Sequence, residues 1–430
     1  MKIAMFTNTY VPHVGGVAGS VQQLTEDCRA LGHQVLVVAP EFPGMPERED
    51  DVIRMPAIQN FNGSDFSVSF PAPIQLRERL QEFDPDIIHT HHPYLLGDTA
   101  LRISAGLNTP IVFTFHTMYE KYTHYVPADS PLLKRFVIQL STRYVNLCNH
   151  VIAPSESVKG VLSERNATTP ISVIPTGVRY DRFSNGDGSA IRREAGIPPG
   201  RDAFVVGHVG RLAPEKNLDF LARGIAEFLD RTPDAHFLVA GEGPSLETMK
   251  LVFRERGQAD RVHFLGVCKD QRLVNVYHAM DIFAFTSQSE TQGMVLAEAM
   301  AAGVPVVALD GPGVRDIVTH RANGLLLTES DTESFAASLE EVAGFSPEQY
   351  GKWQQAADRT AREYSARNSA RKALKLYQQV KTQEPVSPKY DGDDTWNQLL
   401  RSVRREWDIW ENRLSAGVDS ISESEDDSQQ

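Results

Sequence analysis

The sequence predicts an α/β protein whose two doubly wound, parallel-sheet halves, each of the Rossmann type, face each other across a cleft. Short apolar runs typical of buried strands alternate with helical segments, which is the order of a parallel sheet covered on both faces. A run of turn-forming residues interrupts the alternation between residues 175 and 202. The alternation then starts again, and 430 residues are enough for two such sheets.

Composition and charge exclude several classes of protein. The formal net charge of −13 argues against a nucleic-acid binder, which depends on a basic surface. No apolar run reaches the roughly eighteen residues that a membrane span needs. The apolar start of the chain stops at Thr7 without a signal-peptide cleavage site, so we expect a cytoplasmic protein. Cys28, Cys148 and Cys268 form no Cys-x-x-Cys pair, and we expect three reduced thiols.

The first half begins with a βαβ unit. A strand is predicted over 2–6, a helix over 18–31 and a buried strand over 34–39. Gly15 and Gly16 precede the helix, where a backbone without side chains can approach a phosphate. The run is not a Gly-x-Gly-x-x-Gly fingerprint, and a glycine turn without a ligand explains it about as well.

Two further predicted strands, 86–89 and 110–115, end at histidines, and ligands bind at this end of doubly wound sheets. These histidines are His89, His91 and His92 after the first strand and His116 after the second. The His-x-His-His run has no Asp, Glu or Cys beside it at ligand spacing, so we expect no metal site. His116 is the better candidate for a functional site, with a loop packed on its own aromatic residues as the alternative.

A helix predicted over 131–147 carries apolar residues on one face, which are Leu132, Phe136, Leu140, Tyr144 and Leu147. A stripe of this kind suits either the protein core or a membrane surface, and we interpret it as core.

The second half starts with a strand over 204–209, followed by Arg211, Lys216 and a helix that runs to about residue 228. Two cations at a strand end and a helix start can hold a diphosphate, with the helix N-terminus helping. A solvated Arg211 and a Lys216 paired with Glu215 form the alternative. Strands follow over 236–240, 262–265, 282–285 and 304–309, and residues 311–316 are predicted to lead into a further helix.

Two glutamates flank the start of the helix that follows the strand 282–285. Glu290 lies in the loop before it, Gly293 opens it and Glu298 lies inside it. The first N–H groups of such a helix are unpaired and carry the positive end of its dipole, so the two carboxylates could bracket one ligand. Glutamate pairs at this spacing also occur on solvated helix faces.

These motifs together resemble the retaining glycosyltransferases of family four, which belong to the two-Rossmann-domain (GT-B) class, over about residues 1–380. The segments 115–125 and 290–294 look more narrowly like the diacylglycerol α-glucosyltransferase branch. The resemblance implies an acceptor domain over 1–178 with a crossover helix at about 365–382, and a donor domain over 179–364.

The resemblance also implies roles for individual residues. Arg211 and Lys216 would bind the donor diphosphate, which Gly16 would approach, and Glu298 would bind the ribose hydroxyls. Glu290 would hold the transferred sugar with the backbone of Gly293, Met294 and Val295. His116 would lie where sugar and acceptor meet, with Tyr119, Tyr122 and His124 on the acceptor side. The catalytic set would be His116, Arg211, Lys216 and Glu290.

The implied reaction moves a hexose from UDP-glucose to a membrane lipid such as diacylglycerol, with retention and without a metal or other cofactor. The family's commoner Glu-Gly-Phe-Gly run is replaced here by Glu290 with Thr291, Gln292, Gly293 and Met294, which leaves the sugar open. The alternatives are a sugar-nucleotide epimerase, a transferase with a soluble or polysaccharide acceptor, and a nucleotide-binding module without chemistry. The expected location is the cytoplasm, peripheral to the inner face of the cell membrane, and the oligomeric state stays open.

Residues 383–430 lie beyond the resemblance. We predict a linker, an amphipathic helix over 395–414 and an acidic, disordered tail. Trp396, Trp407 and Trp410 share the apolar stripe of this helix, which could therefore rest in a bilayer interface. Docking on the protein itself or on a second subunit is the alternative that we favour, because anionic lipid would repel the tail.

Overall fold

The structure is a computed structural model, and it describes residues 1–13, 15–46, 49–58, 68–69, 74–121, 131–198, 203–288 and 290–386. The predicted linker, amphipathic helix and acidic tail therefore lie, from residue 387 onward, outside the described residues. In the described part, no helix is both long enough and apolar enough to cross a membrane.

The first part of the chain forms a parallel sheet of seven strands among the described residues. The strands of this part, including two outside the sheet, are β1 Lys2–Phe6, β2 Gln34–Pro40, β3 Val52–Met55, β4 Ala57–Ile58, β5 Val68–Ser69, β6 Ile87–Thr90, β7 Ile111–Thr114, β8 His150–Ala153 and β9 Ile171–Val173. β4 and β5 form a separate antiparallel pair, and the others lie in the order β3-β2-β1-β6-β7-β8-β9. Their Val- and Ile-rich runs are apolar without alternation because both faces of the sheet are covered.

The second sheet has six parallel strands among the described residues, in the order β12-β11-β10-β13-β14-β15. They are β10 Phe204–Val209, β11 Ala235–Ala240, β12 Val262–Phe264, β13 Ile282–Phe285, β14 Val306–Leu309 and β15 Gly324–Leu327. β10 and β13 have the bounds that the sequence predicted. The predicted fold class, α/β with two doubly wound parallel sheets, is confirmed.

Helices cover both faces of each sheet. Those of the described residues are α1 Gly16–Ala30, α2 Ile74–Phe83, α3 Leu96–Leu107, α4 Pro131–Val145, α5 Glu156–Glu164, α6 Tyr180–Phe183, α7 Ser189–Glu194, α8 Leu218–Arg231, α9 Leu246–Glu255, α10 Asp270–His278, α11 Met294–Ala301, α12 Thr332–Ala343, α13 Pro347–Glu363 and α14 Ala366–Val380. Each sheet has one apolar cluster on either face. Burial on both faces fixes the strands and hence the loops that leave them.

The chain passes between the sheets twice at one place. The N–H of Val178 donates to the carbonyl of Tyr364, and the N–H of Ala366 donates to the carbonyl of Val178, each at 2.8 Å. α14 then packs on the first sheet, where Leu374 and Tyr377 share a cluster with strand residues of β1 and β2. Both connections between the sheets therefore run side by side.

Both sheets reverse their strand order once, between β1 and β6 and between β10 and β13. In open parallel sheets, ligands bind beyond the carboxyl ends of the strands at such a reversal. The loops that follow β1, β6, β10 and β13 are therefore where a site is expected.

The helix predicted after residues 311–316 does not form. These residues make a turn that leads to β15 instead. The amide of Asn323 accepts a hydrogen bond from the N–H of Thr319 (2.8 Å) and donates to the carbonyl of Ile317 (3.0 Å), so it satisfies backbone groups that a helix would have paired. Gly313 also has a φ of +76°, which a right-handed helix does not use.

The apolar stripe of α4 is less buried than predicted. Tyr144 is buried, but Phe136, Leu140 and Leu147 are only half-buried. The buried face of the helix is displaced toward Ser141 and Val145, where the Tyr144 hydroxyl donates to the carbonyl of Gly97 at 2.8 Å. The interpretation of the stripe as core is therefore wrong for Phe136, Leu140 and Leu147. The structure does not describe the side chain of Leu132.

Candidate functional site

A lysine and a glutamate meet at the strand-order reversal of the second sheet. Lys216 ends the turn after β10, and Glu290 lies in the loop after β13, with Nζ and Oε1 2.5 Å apart. Both side chains are 19% exposed, so the pair is partly shielded from water and open on one side. The hydroxyl of Thr286 donates to the carbonyls of Lys216 (3.1 Å) and Asn217 (3.2 Å), which fixes one loop on the other.

Arg211 follows β10 as well, but its ion-pair partner is Glu215. Its side chain is 52% exposed, so the guanidinium lies at the rim of the site. The alternative in which Lys216 pairs with Glu215 is not what the structure has, because Lys216 pairs with Glu290 and Glu215 with Arg211.

The N-terminus of α11 adds backbone donors beside Glu290. Gly293 precedes the helix with a φ of +69°, a left-handed conformation that favours glycine. Met294 and Val295 are the first helical residues, whose N–H groups have no acceptor within the helix, and no acidic residue stands in that first turn. The arrangement suits an anion.

Glu298 lies one turn further along α11. Its Oε2 accepts a hydrogen bond from the Tyr277 hydroxyl at 2.7 Å. Burial raises the pKa of the Glu298 carboxyl to about 7, against the smaller lowering effects of the Tyr277 hydrogen bond and the charge of Arg182. This carboxyl therefore changes its charge near neutral pH.

His116 follows β7 in the first sheet. Its Nε2 lies 2.9 Å from Nδ1 of His91, and burial lowers the pKa of His116 to about 4. The imidazole is neutral at physiological pH and can accept or donate one proton in a hydrogen bond.

The other histidines at this edge bind protein groups. His89 lies between the hydroxyls of Thr114 and Tyr377, each 2.7 Å from one ring nitrogen. His92 accepts a hydrogen bond from the N–H of Asn8 at 3.1 Å. Within the described ranges, no group of three or more His, Cys, Asp or Glu side chains is arranged to hold a metal ion.

The remaining predicted residues are placed as follows. Gly16 is the first residue of α1, and a methyl group added at its Cα would meet nothing within 4 Å, so its backbone is open to approach. Tyr119 packs edge-on against Tyr94, with ring centroids 5.5 Å apart. Tyr122 and His124 lie outside the described residues.

Hydrogen bonds join the carboxyl edges of the two sheets. The Ser155 hydroxyl donates to the carbonyl of Thr291 (2.7 Å), and the Thr291 hydroxyl donates to the carbonyl of His116 (3.1 Å). The N–H of Thr176 donates to the side-chain amide of Gln292 at 2.8 Å. The structure therefore brings the Lys216–Glu290 pair and His116 to facing edges of one site.

A carboxylate from the second sheet also caps a helix of the first. Asp316 accepts hydrogen bonds from the N–H of Glu156 (3.0 Å) and the hydroxyl of Ser157 (2.7 Å) at the start of α5. A negative charge at a helix N-terminus is stabilising, so this contact helps to hold the two edges together.

Sequence reasoning missed His208. His208 lies within β10, donates from Nδ1 to the carbonyl of Ala284 (3.0 Å) and is an electrostatic neighbour of Lys216 and Glu290. A histidine inside a strand gives no sign of this position.

The contacts between the sheets were also missed, although the departure of Thr291 and Gln292 from the family's commoner run was a signal. Chemically, the site offers cations and a helix N-terminus for an anion, carboxylates for hydroxyl groups, and a neutral histidine on the opposite edge.

Two family models match the chain in succession. Residues 14–182 match the model described as Glycosyltransferase Family 4, and residues 190–359 match that described as Glycosyl transferases group 1. The boundary between the matches falls between the two sheets.

Individual relatives and solved structures are similar to this chain over most of its length. An alpha-monoglucosyldiacylglycerol synthase of Streptococcus pneumoniae is 30% identical over 332 residues, 76% of this chain and 75% of that protein. A GDP-mannose-dependent alpha-mannosyltransferase of Mycobacterium tuberculosis is 29% identical over 341 residues, 77% of this chain and 85% of that protein.

The crystal structure of the Anabaena protein HepE in complex with UDP superposes with a TM-score of 0.71 at 19% identity, covering 88% of this chain and all of that one. At this identity the similarity establishes the fold. The chain therefore has the GT-B fold and belongs to glycosyltransferase family 4.

Proposed function

We propose that this glycosyltransferase is a retaining hexosyltransferase that moves glucose from UDP-glucose to a membrane lipid of the diacylglycerol type. The observation that carries the proposal is the Lys216–Glu290 pair beside the N-terminus of α11, joined through Thr291 to the loop of His116. A diphosphate bound beside this pair would face the neutral histidine on the edge of the other sheet.

Positively charged groups support the proposed binding of the nucleotide-sugar donor. Lys216, Arg211 and the N–H groups of Met294 and Val295 would bind the diphosphate, because cations and free helix N–H groups attract anions. Gly16 would approach the phosphates from the first sheet. Glu290 would bind hydroxyls of the transferred sugar, and Glu298 those of the ribose. Since Lys216 and Glu290 are paired, the donor would have to enter between them.

The chemical step would use the departing phosphate. Among the described residues, Glu290 is already paired with Lys216 and Glu298 accepts from Tyr277, so neither is placed as a free nucleophile. We therefore favour attack of the acceptor hydroxyl on the anomeric carbon from the face that the phosphate leaves. The new C–O bond would form as the bond to the phosphate breaks, and the hydroxyl proton would pass to the departing phosphate oxygen. Lys216 and Arg211 would stabilise the charge that grows on that phosphate, in the role that a metal ion has elsewhere. His116 would contact the sugar where the acceptor enters.

The lipid acceptor is supported by two observations. The Streptococcus pneumoniae relative is named for a glucosyl-diacylglycerol product. The face of α4 that departs from the core prediction keeps Phe136 and Leu140 half-buried beside the exposed Lys134 and Arg135. Partly exposed apolar side chains next to cations suit the surface of an anionic membrane, and α4 contacts the turn that carries Tyr119. This location would be peripheral, on the cytoplasmic face.

A mannosyl donor is the second candidate, because the Mycobacterium tuberculosis relative, named a GDP-mannose-dependent enzyme, is nearly as similar. The replacement of the commoner Gly-Phe pair by Thr291 and Gln292 falls in the loop that would hold the sugar.

The test is a panel of radiolabelled nucleotide sugars, each incubated with the protein and diacylglycerol-containing vesicles, with vesicles of phosphatidylcholine alone, or with no lipid. We expect label in the lipid phase only with UDP-glucose and diacylglycerol, and an α-linkage by NMR. Transfer from GDP-mannose instead would move the proposal to the second donor. Conversion of the donor sugar without lipid would identify an epimerase, and binding without turnover a module without chemistry.

A further inference from the structure

The buried imidazole of His91 has a single hydrogen-bond partner among the described residues. The residue follows β6 and is 1% exposed, and its ring lies 4.1 Å from the ring of His89. Burial and the neighbouring histidines keep its pKa well below the ordinary value, so it is neutral. Among the described residues, the one hydrogen bond of its ring joins Nδ1 to Nε2 of His116 at 2.9 Å.

The opposite nitrogen of His91 does not orient the ring. Nε2 is buried without a protein partner among the described residues, as is the hydroxyl of Ser369 on α14. Both side chains line a cavity of about 30 Å³ between α1, α14 and the segment at Thr176. A polar cavity of this size can hold a water molecule, which adapts to either tautomer of the ring. The bond to His116 is therefore the contact that gives the His91 ring its direction.

Burying an imidazole with one hydrogen bond costs free energy that a residue needed only for packing would not cost. A buried imidazole loses its hydration and recovers it in part through one hydrogen bond, while an aliphatic side chain in its place would lose nothing. His89 differs, because both of its ring nitrogens have hydroxyl partners. The ring nitrogen of His91 that has a hydrogen-bond partner, Nδ1, is directed at His116.

The bond determines which nitrogen of His116 remains available. Nε2 is engaged by His91, and no hydrogen bond of the described residues reaches Nδ1. The backbone of His116 is held separately, because its carbonyl accepts from Thr291. His91 therefore holds the ring of His116, and Thr291, from the opposite sheet, holds its backbone.

We infer that His91 is a positioning residue, whose Nδ1 holds the ring of His116 so that Nδ1 of His116 faces the reacting sugar and acceptor. The inference rests on the proposed function in so far as His116 contacts the substrates. It assigns no chemistry to His91 itself, which stays buried and neutral behind His116.

Two substitutions separate the nitrogens of His91. Asparagine places an amide where Nδ1 stands, and glutamine places one near Nε2. We expect His91→Asn to keep kcat near that of the unaltered protein, and His91→Gln to lower kcat by about tenfold or more with little change in donor KM, because misorientation of a reacting group affects the transition state. Equal losses in both variants, or a glutamine variant as active as the asparagine one, would overturn the inference.

The matched control is His236→Gln. His236 and His263 form another His–His hydrogen bond, 3.1 Å long, on the second sheet and away from the site. Loss of that bond should leave kcat unchanged. Thermal melting of all three variants shows whether a loss of activity follows unfolding.

A readout without catalysis keeps the inference separate from the proposed function. Diethyl pyrocarbonate acylates unprotonated, accessible imidazole nitrogens, and mass spectrometry of peptides gives the rate at His116, with the exposed His320 as internal reference. In His91→Asn the held ring exposes only Nδ1 to the reagent, whereas in His91→Gln the released ring can present either nitrogen, so the His116 rate should rise by about fivefold relative to His91→Asn. Equal rates in the two variants would refute the positioning role even if no sugar transfer were found for any substrate. A raised rate without transfer would retain the positioning role and reject the proposed function.

Discussion

The hydroxyl of Thr291 donates a hydrogen bond to the carbonyl oxygen of His116, with Oγ1 and O 3.1 Å apart. Thr291 directly follows Glu290, the partner of Lys216, and its own carbonyl accepts from Ser155. One residue of the loop after β13 therefore contacts two loops of the first sheet. The positions of the two halves of the site depend on each other through this residue.

Replacement of Thr291 by valine should lower the rate of sugar transfer by about fivefold, because it removes one hydrogen bond between the sheets without changing the volume of the side chain. The measurement is kcat with saturating donor and lipid. Thr332→Val is the matched control, since the Thr332 hydroxyl bonds to Glu227 on the far side of the second sheet (2.7 Å) and should affect only stability. If both variants keep full activity, the Thr291 contact has no role in turnover.

Lys216→Ala and Arg211→Ala should each lower kcat by about 10² or more, because each removes a positive charge that would stabilise the departing phosphate. Lys216→Ala also leaves the Glu290 carboxylate, only 19% exposed, without its cation, so its effect should be the larger. Single-turnover kinetics with UDP-glucose measure the step itself. Lys250→Ala, a partly exposed lysine paired with Glu247, is the control for loss of a positive charge elsewhere on the protein. Unchanged turnover in both site variants would reject the diphosphate site.

The affinity for UDP should rise with pH through neutrality. The pKa of Glu298 is about 7 in the folded protein, and its ionised form accepts hydrogen bonds from the ribose hydroxyls more strongly than the protonated form. If only the ionised form binds, affinity at pH 8 should exceed that at pH 6 by about tenfold. Calorimetry at both pH values measures the difference.

The nucleotide phosphate titrates in the same range, so Glu298→Gln is the control, and it should show the smaller dependence that the phosphate causes. Stability without nucleotide should change in the opposite direction. The folded pKa is raised above the ordinary 4.5, so ionisation of Glu298 destabilises the fold above pH 7, and stability is regained as pH falls from about 7 toward 4.5. An identical pH profile in the glutamine variant would exclude Glu298 as the titrating group.

Turnover should survive a chelator. Lys216 and Arg211 supply positive charge at the proposed phosphate site, and His89 and His92 bind protein groups instead of standing free as ligands. Activity after dialysis against EDTA, compared with activity after addition of Mg²⁺ or Mn²⁺, is the measurement. Complete loss restored by one divalent ion would show that a metal ion shares the phosphate site.

The parts of the fold that follow from local patterns were predictable. β10 and β13 are buried on both faces, so their apolar runs give the strand bounds directly. The turn at 311–316 was not predictable in the same way, because it depends on the side chain of Asn323, which folds back on the turn from beyond it. The α4 stripe failed for a related reason, since helical periodicity identifies an apolar face without showing how deeply it is packed.

For the candidate site, too, features set by local sequence patterns were predictable and those set by packing were not. Lys216 and Glu290 could be proposed because each stands at the end of an apolar strand, where parallel sheets bind ligands. Their direct contact and the bond between His91 and His116 result from how the loops of separate strands pack. The contact of His208 with Ala284 results from the pairing of β10 with β13. Residues far apart in sequence carry no local sign of these contacts.

Residues 394–430 lie beyond the described part of the chain. Their deletion should leave UDP binding unchanged, because every residue proposed for the donor site precedes residue 300. Calorimetry of the truncated and full-length proteins provides the comparison. Loss of nucleotide binding would show that the segment is part of the fold that supports the donor site.

The same truncation tests where a membrane would be contacted. If the tryptophan-bearing helix predicted over 395–414 binds the bilayer interface, the truncated protein should no longer sediment with anionic vesicles, and Trp407→Ala with Trp410→Ala in the full chain should reproduce the loss. If sedimentation persists, the membrane role of that helix is refuted, and the half-buried face of α4 becomes the surface to test. Lys134→Glu with Arg135→Glu should then abolish sedimentation, because both side chains are exposed and reversed charge repels anionic lipid.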